Sequence, residues 1–428
     1  MMTPRTSDQE TPRAKFPARV VVSVLFVACL FGMMAGELRS SAKTYYEDMK
    51  AMGKKVPLWK YSLGPIAFFV KTGQNLFFCR FVCADLYGGI ARVCGKEAIF
   101  HSPTDGHQRT DDGFIYKYSG PLQPLPSAKT SMPLECIEQI RELKDYLETR
   151  GIQFLYLIPP GRECLESPAS LDPLEIYKQS SSYAERQRMI EFFEDNNINY
   201  FDVFREFSNN APSLKDWFYR TDHHWKIERV FEMMPSLADN IRDTLHLGWP
   251  NGKDIFNKDR FREVQYPQFF IGSIGRRDGR FFVPPDDLIF YLPTFDTDYS
   301  INIMLWDGNQ ASIRGNFEET LFHRDYVEPK SPYGTNRYLY YVYCDKDYSL
   351  QLITNNNAKE GRVLILKDSM GIPISTFLSV LSHEIIMVDL RYQKGVGNLY
   401  EVIEKYQPDI VLVVYWLGDY RDVLFNFH

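Results

Sequence analysis

Histidine is scarce in this chain, with eight residues among 428. Charge of one sign is not in excess: the formal net charge is −6 and no basic stripe is present, so no nucleic-acid partner is expected. There is no Walker loop, no zinc-finger spacing, no H-E-x-x-H and no internal repeat. No motif asks for a cofactor, and none is expected. Cysteine is sparse, at seven residues. Cys79-x-x-x-Cys83 with Cys94 lacks a fourth ligand at a suitable spacing, so structural or free thiols are a better reading than a metal cluster. Long apolar runs are limited to one.

That run is Val20 to Gly36, seventeen residues without a charge. At 1.5 Å per residue it reaches about 25 Å, near the lower limit for crossing a bilayer. Arg5, Arg13, Lys15 and Arg19 precede it. Its rival reading is a cleaved signal peptide, but the polar leader is long and Met33 and Ala35 make a poor cleavage site. An uncleaved anchor is therefore expected over 20–36. Positive charge before it leaves residues 1–19 as a cytoplasmic tail and sends the bulk of the chain outside.

What is present is apolar and aromatic: 44% and 15% of the residues, enough for a large core. Residues 37–133 read as juxtamembrane and loop-rich. Leu76–Val93 suits a helix lying either on the membrane or on the main domain, and His101–Pro133 suits loops with short strands. From 134 the chain alternates. Leu134, Ile137, Ile140, Leu143 and Leu147 share a helical face that ends at Gly151. Strands are expected at Ile152–Pro160, Ile198–Val203, Arg362–Asp368, Glu384–Leu390 and Asp409–Leu417. Helices are expected near Tyr183–Asn196, Ile372–Leu381 and Val396–Tyr406. This pattern predicts an α/β domain over 134–428, with a mostly parallel sheet flanked by helices. Residues 255–350 break the alternation and read as an insertion with antiparallel strands.

Ligands of open α/β sheets gather at the carboxyl ends of strands. There the chain reads Lys367-Asp368-Ser369-Met370-Gly371. A serine between a strand end and a helix start suits a nucleophile, because helix N–H groups stabilise developing negative charge. From this segment alone, a helix cap formed by Asp368 or Ser369 is the simpler reading. A base and its orienting acid are supplied by TDHHW, residues Thr221–Trp225. In an extended segment Asp222 and His224 face one side and His223 points elsewhere, so the carboxylate can fix the tautomer of His224. Trp225 then packs beneath the ring. The competing readings are a structural turn and a metal site on Asp222, His223 and His224. Adjacent histidines on a strand diverge, which ranks the metal lower.

In their order, TDHHW followed by the Lys-Asp-Ser segment resembles the DHHW family of bacterial envelope proteins. That family is similar to the SGNH-like domains of alginate O-acetyltransferases. Phe269–Leu288, Arg314–Glu319 and Met387–Tyr392 fit the same pattern, and the resemblance covers roughly residues 135–420. It implies an SGNH-hydrolase-like (flavodoxin-like) fold with permuted motif order. It also implies Ser369 as nucleophile, His224 as general base and Asp222 as orienting acid. Lys-Asp-Ser replaces the Gly-Asp-Ser of ordinary SGNH enzymes, and no clear glycine and asparagine blocks complete an oxyanion hole. The N–H of Ser369 and the Gly272-Ser273-Ile274-Gly275 stretch are candidates, the latter reading equally as a turn. Arg391 suits an acidic or hydroxyl-rich ligand, with an ion pair as the simpler reading. Tyr415 and Trp416 suit either a carbohydrate groove or the core.

The expected activity is O-acyl (O-acetyl) transfer to hydroxyls of an envelope polysaccharide. An extracytoplasmic enzyme cannot draw on cytoplasmic acetyl-CoA, so a membrane-bound acyl-exporting partner is implied. The alternatives are a carbohydrate esterase using water with the same residues, and a catalytically silent glycan-binding protein in which Ser369 lies far from His224.

Overall fold

Five short, largely apolar runs form the parallel half of an eight-stranded sheet. The computed structural model describes residues 81–102, 105–118, 134–160, 162, 181–208, 214–304, 309–327, 339–392, 397–416 and 422–428. The expected tail and the expected anchor at 20–36 lie outside the described residues. Among the described residues, no helix is long and apolar enough to cross a membrane.

In chain order the strands are β1 (Ala98–Ser102), β2 (Asp105–Arg109), β3 (Ile115–Tyr118), β4 (Gln153–Ile158), β5 (Tyr200–Asp202), β6 (Phe261–Phe270), β7 (Asp286–Pro293), β8 (Tyr299–Met304), β9 (Gln310–Gly315), β10 (Leu350–Asn355), β11 (Arg362–Lys367), β12 (Glu384–Val388) and β13 (Ile410–Val414). The large sheet has the order β5-β4-β13-β11-β12-β10-β8-β9. From β5 to β12 every neighbour is parallel. These are the five strands that the alternation predicts. From β12 to β9 every pairing is antiparallel. The antiparallel strands β8 and β9 therefore extend the main sheet rather than standing apart, which makes the sheet mixed. Among the described residues of that stretch, the β6–β7 hairpin forms a separate sheet.

Alternation along each buried strand feeds two cores. Val363 and Ile365 of β11 join one cluster, while Leu364 and Leu366 join the other. Side chains at i and i+2 share a face, so a strand buried on both faces must be apolar throughout. The first face is covered by helices α3 (Ile227–Leu245) and α4 (Gly371–Leu378). The second is covered by α1 (Leu134–Glu148), α2 (Ser181–Asp195) and α5 (Leu399–Tyr406). Ile140, Leu143 and Leu147 of α1 are buried as their spacing predicts. Each fully buried leucine or isoleucine contributes about 1.5–3 kcal/mol. The helix over 81–93 lies on the main domain: a Cβ on Gly88 would meet the carbonyl oxygen of Asp278 at 2.1 Å, a close approach that only glycine permits.

Candidate active site

Strand β11 carries the chain to the sheet's carboxyl edge, where Asp368 ties two strand ends together. Its Oδ1 accepts from the N–H of Met370 at 2.8 Å and its Oδ2 from the N–H of Trp416, just past β13, at 2.7 Å. Asp368 thus ties the turn after β11 to the segment after β13. The hydroxyl of Ser369 is left to face His224, with Oγ 2.7 Å from Nε2. Ser369 is 9% exposed.

TDHHW forms a turn, not the extended segment expected from its sequence. Asp222 Oδ1 accepts from the backbone N–H of His224 at 2.9 Å, which curls the chain locally. The same oxygen lies 2.5 Å from His224 Nδ1. With Nδ1 donating to the carboxylate, Nε2 carries the lone pair that accepts the Ser369 O–H. Asp222 is fully buried. Burial alone raises its pKa, but His224, His223 and the Ser273 N–H outweigh burial and hold the carboxyl well below the usual carboxylate range.

The turn is gripped from two sides. Asp286, at the start of β7, accepts from the N–H of Arg220 at 2.8 Å, the N–H of Thr221 at 2.9 Å and the Thr221 hydroxyl at 2.6 Å. Opposite, the N–H of Gly272 donates to Thr221 Oγ1 at 2.8 Å, and the N–H of Ser273 donates to Asp222 Oδ2 at 2.5 Å. Trp225 bridges to the serine segment, its Nε1 donating to the carbonyl of Met370 at 3.2 Å. The ring stacked on His224 is that of Tyr340, at 3.8 Å and 15°, not that of Trp225.

Several expectations change. Gly272 and Ser273 are not oxyanion donors, because both N–H groups are spent on Thr221 and Asp222. They position the acid instead. His223 does not point away: the turn brings its ring centroid 3.9 Å from that of His224, and its Nδ1 pairs with Ser273 Oγ at 2.8 Å. Burial first, then the neighbouring His224, push its pKa down to about 4. The donor atoms of Asp222, His223 and His224 do lie within 4.8 Å of one another, closer than strand geometry implied. However, His224 Nε2 is turned toward Ser369 and its Nδ1 toward Asp222. Tyr415 does not line a groove. It is 1% exposed and packs edge-on against Phe425 in the core, because alternation along β13 turns it inward. Trp416 is half-buried, its ring 6.0 Å from that of His223.

Arg391 takes the ion-pair role. It makes a bidentate contact with Asp389 at 2.8 and 2.5 Å and meets Asp347 at 3.0 Å. Lys367, fully buried at the end of β11, reaches Asp347 at 2.6 Å and Asp389 at 3.4 Å. Burial lowers the lysine pKa, but the two carboxylates outweigh it and the net shift is upward. Two cations and two anions thus form a neutral cluster directly beneath the serine turn. Sequence reading assigned no role to Tyr340, Asp286 or Asp347, although Asp286 lies in the Phe269–Leu288 stretch that fits the family pattern.

A hydroxyl, an imidazole and a carboxylate in this order are the parts of a serine nucleophile. Residues 124–247 match the SGNH hydrolase-like domain of the acetyltransferase AlgX. The matched segment contains TDHHW and stops before Ser369. Among solved structures, Bacillus cereus PatB1 holding a sulfonyl adduct is 20% identical, with a TM-score of 0.57 over 76% of this chain and 98% of that one. A DHHW family protein from Eubacterium siraeum is 17% identical, with a TM-score of 0.51 over 77% and 96% of the two chains. The resemblance is thus present in sequence to the AlgX SGNH-like domain over residues 124–247, and in fold to the DHHW family protein over about three quarters of the chain. No curated protein matches the sequence.

Proposed function

We propose that this protein is an extracytoplasmic O-acyltransferase, with acetyl as the acyl group, acting on hydroxyls of an envelope polysaccharide. The observation that carries the reading is the unbroken chain Asp222–His224–Ser369, with contacts of 2.5 and 2.7 Å. In this reading Ser369 Oγ attacks the acyl carbonyl while its proton passes to His224 Nε2. Asp222 stabilises the imidazolium, and the N–H of Ser369 faces the developing oxyanion. Collapse breaks the bond to the leaving group, which takes the proton from His224 and leaves an acyl-serine. A sugar hydroxyl then gives its proton to His224 and attacks the acyl carbon; the bond to Ser369 Oγ breaks and Oγ takes the proton back from His224.

Near-burial of Ser369 favours transfer over hydrolysis, because water is the competing acceptor. An esterase is the same chemistry with water admitted. The silent glycan-binding alternative needs Ser369 far from His224, and the 2.7 Å contact weighs against it. In this reading the acyl donor comes from a membrane-bound acyl-exporting partner.

The test uses the chain from about residue 37 onward and a chromogenic acetyl ester. Wild type, Ser369→Ala and His224→Ala are compared for leaving-group release, for an acyl adduct by mass spectrometry and for labelling by a sulfonyl fluoride. Adduct and label on Ser369, lost in both variants, are expected. Added oligosaccharide then accepts the acyl group, whereas acetate release unaffected by oligosaccharide identifies the esterase. Equal background in all three proteins, with no label on Ser369, overturns the reading.

A further inference from the structure

A second polar cluster stands apart from the serine. His101 on β1, His107 on β2 and Asp278, at the end of the short helix Gly275–Asp278, turn their donor atoms toward one point. His101 Nε2 lies 2.8 Å from Asp278 Oδ1, His107 Nδ1 lies 2.8 Å from Oδ2, and the two nitrogens are 3.3 Å apart. Asp278 and His107 are buried, and His101 is partly exposed at 17%. We propose that His101, His107 and Asp278 form a site for a divalent cation of the zinc class, which staples the N-terminal layer of the protein to the segment that holds Asp222.

Three observations carry this. The first is donor spacing. A nitrogen–nitrogen edge of 3.3 Å is the edge of a tetrahedron whose bonds are about 2.0 Å long, the Zn–N distance. A cation between the imidazoles and the two carboxylate oxygens is about 2 Å from each donor, the length zinc adopts with both ligand types. Imidazole with carboxylate is also a donor set that suits zinc.

The second is the setting of the two rings. If both nitrogens carry hydrogens, two donors of like polarity crowd together over one buried carboxylate. A cation replaces that crowding with attraction to all three groups.

The third is the small scale of the packing around the site. Among the described residues, the layer formed by the helix over 81–93 and the sheet β1–β2–β3 meets the rest of the protein through small apolar clusters, Phe81 with Ile271 and Ala91 with Ile99 and Phe282, and through Phe114, which joins the main core. Small apolar contacts of this kind are commonly reinforced by a metal. The staple would act on the candidate active site through the backbone. Between Ser273 and Asp278, the N–H groups of Ile274 and Gly275 donate to the carbonyl of Thr221 at 3.1 and 2.9 Å. Thr221 immediately precedes Asp222.

The experiment measures bound zinc after the full chain is loaded with Zn2+ and freed of excess by gel filtration. Wild type is compared with His101→Ala, His107→Ala and His223→Ala, the last controlling for the cluster beside Ser369. The expected result is close to one zinc per chain in wild type and His223→Ala, and less than a tenth of that in His101→Ala. Removing a ligand is expected to cost more than the roughly 10–100-fold in affinity that changes outside the ligand set cost. His101 is partly exposed, so its alanine variant is the one expected to keep its fold, and far-UV circular dichroism checks this. Two further readouts use wild type alone: visible ligand-field absorption of the Co2+ form as a four-coordinate site, and a zinc-dependent rise in melting temperature. Zinc retained equally by folded His101→Ala, zinc lost in His223→Ala instead, or a wild type that neither holds zinc nor shows the cobalt spectrum overturns the proposal. None of these outcomes depends on acyl transfer.

Discussion

Gly272 has no side chain because Asp222 occupies the space one would need. A Cβ at Gly272 would stand 2.2 Å from both Cβ and Oδ2 of Asp222 and 2.6 Å from its Cγ. Carbon atoms rest at about 3.5–4.0 Å, so Gly272→Ala must open the contact by about 1 Å or more. Asp222 cannot retreat freely. Its Oδ1 is held by the N–H and ring of His224, and its Oδ2 by the N–H of Ser273. The displacement therefore passes to His224 and lengthens its contact with Ser369. A misplacement of about 1 Å at reacting groups costs about 100-fold in rate, or about 2.7 kcal/mol of barrier. Overpacking costs about 1–3 kcal/mol of stability as well. The assay is kcat/KM for a chromogenic acetyl ester, run where circular dichroism and a cooperative melt show the variant folded. The expected loss of about 100-fold should fall mainly on kcat, since the substituted position does not touch the acyl group. A folded Gly272→Ala with kcat/KM within threefold of wild type refutes the chain of contacts from Gly272 to Ser369.

Asp222→Asn keeps the shape but lets the amide donate toward Nδ1, which favours the wrong tautomer; kcat should fall by about 10⁴-fold with little change in KM. Lys367→Ala leaves Asp347 and Asp389 buried with one cation between them, and should lower stability by about 3–5 kcal/mol in denaturant titration. Glu228 at the first turn of α3 has an Oε2 without a partner, and burial pushes its carboxyl up to about 7. A carboxyl raised on folding holds its proton longer in the native state, so its stability contribution is intact below pH 4.5 and is lost as pH rises toward 7. Glu228→Gln should therefore melt higher than wild type at pH 8, by about 1–3 kcal/mol, and the difference should vanish near pH 4.

The parallel half of the sheet was legible because each strand is an apolar run of strand length between helical segments, as in Arg362–Asp368 and Asp409–Leu417. The antiparallel half was legible as an insertion with antiparallel strands, but not as an extension of the same sheet. Nothing local in Tyr299–Met304 or Leu350–Asn355 says that these runs pair with each other and with β12, because pairing partners are set by tertiary contact. Asp222, His224 and Ser369 were found through residue chemistry and motif order. The spacing argument behind them was nevertheless wrong in form. Asp222 reaches His224 by curling the chain through a side-chain bond to the N–H two residues on, not by strand alternation. The same curl explains why His223, expected to diverge, lies beside its neighbour. Asp286 lies in the Phe269–Leu288 stretch and Tyr340 in a tyrosine-rich run, but nothing local assigns either a role, because they act across 65 and more than 100 residues of chain.

Lys367-Asp368-Ser369 can be understood from what lies beneath it. A strand ending in lysine places a cation inside the sheet edge, and that cation is tolerable only with partners. Asp347 and Asp389 supply them, and Arg391 restores neutrality. Such a cluster is weak evidence of stabilisation, since an apolar replacement of similar volume often does as well. Its directional bonds do something an apolar plug cannot. They fix the ends of β11 and β12 relative to the loop carrying Asp347, while Asp368 fixes the end of β11 to the start of the segment after β13. Ser369 then projects from the one point where these ties meet, and the turn bearing His224 is locked to it by Trp225 and Met370. On this argument an apolar substitution of the whole cluster should spare folding more than it spares the 2.7 Å contact between Ser369 and His224. Replacing Lys367, Asp347, Asp389 and Arg391 together by apolar residues of matched volume, and measuring melting temperature beside kcat, separates the two roles. Activity retained in step with stability would assign the cluster to packing alone.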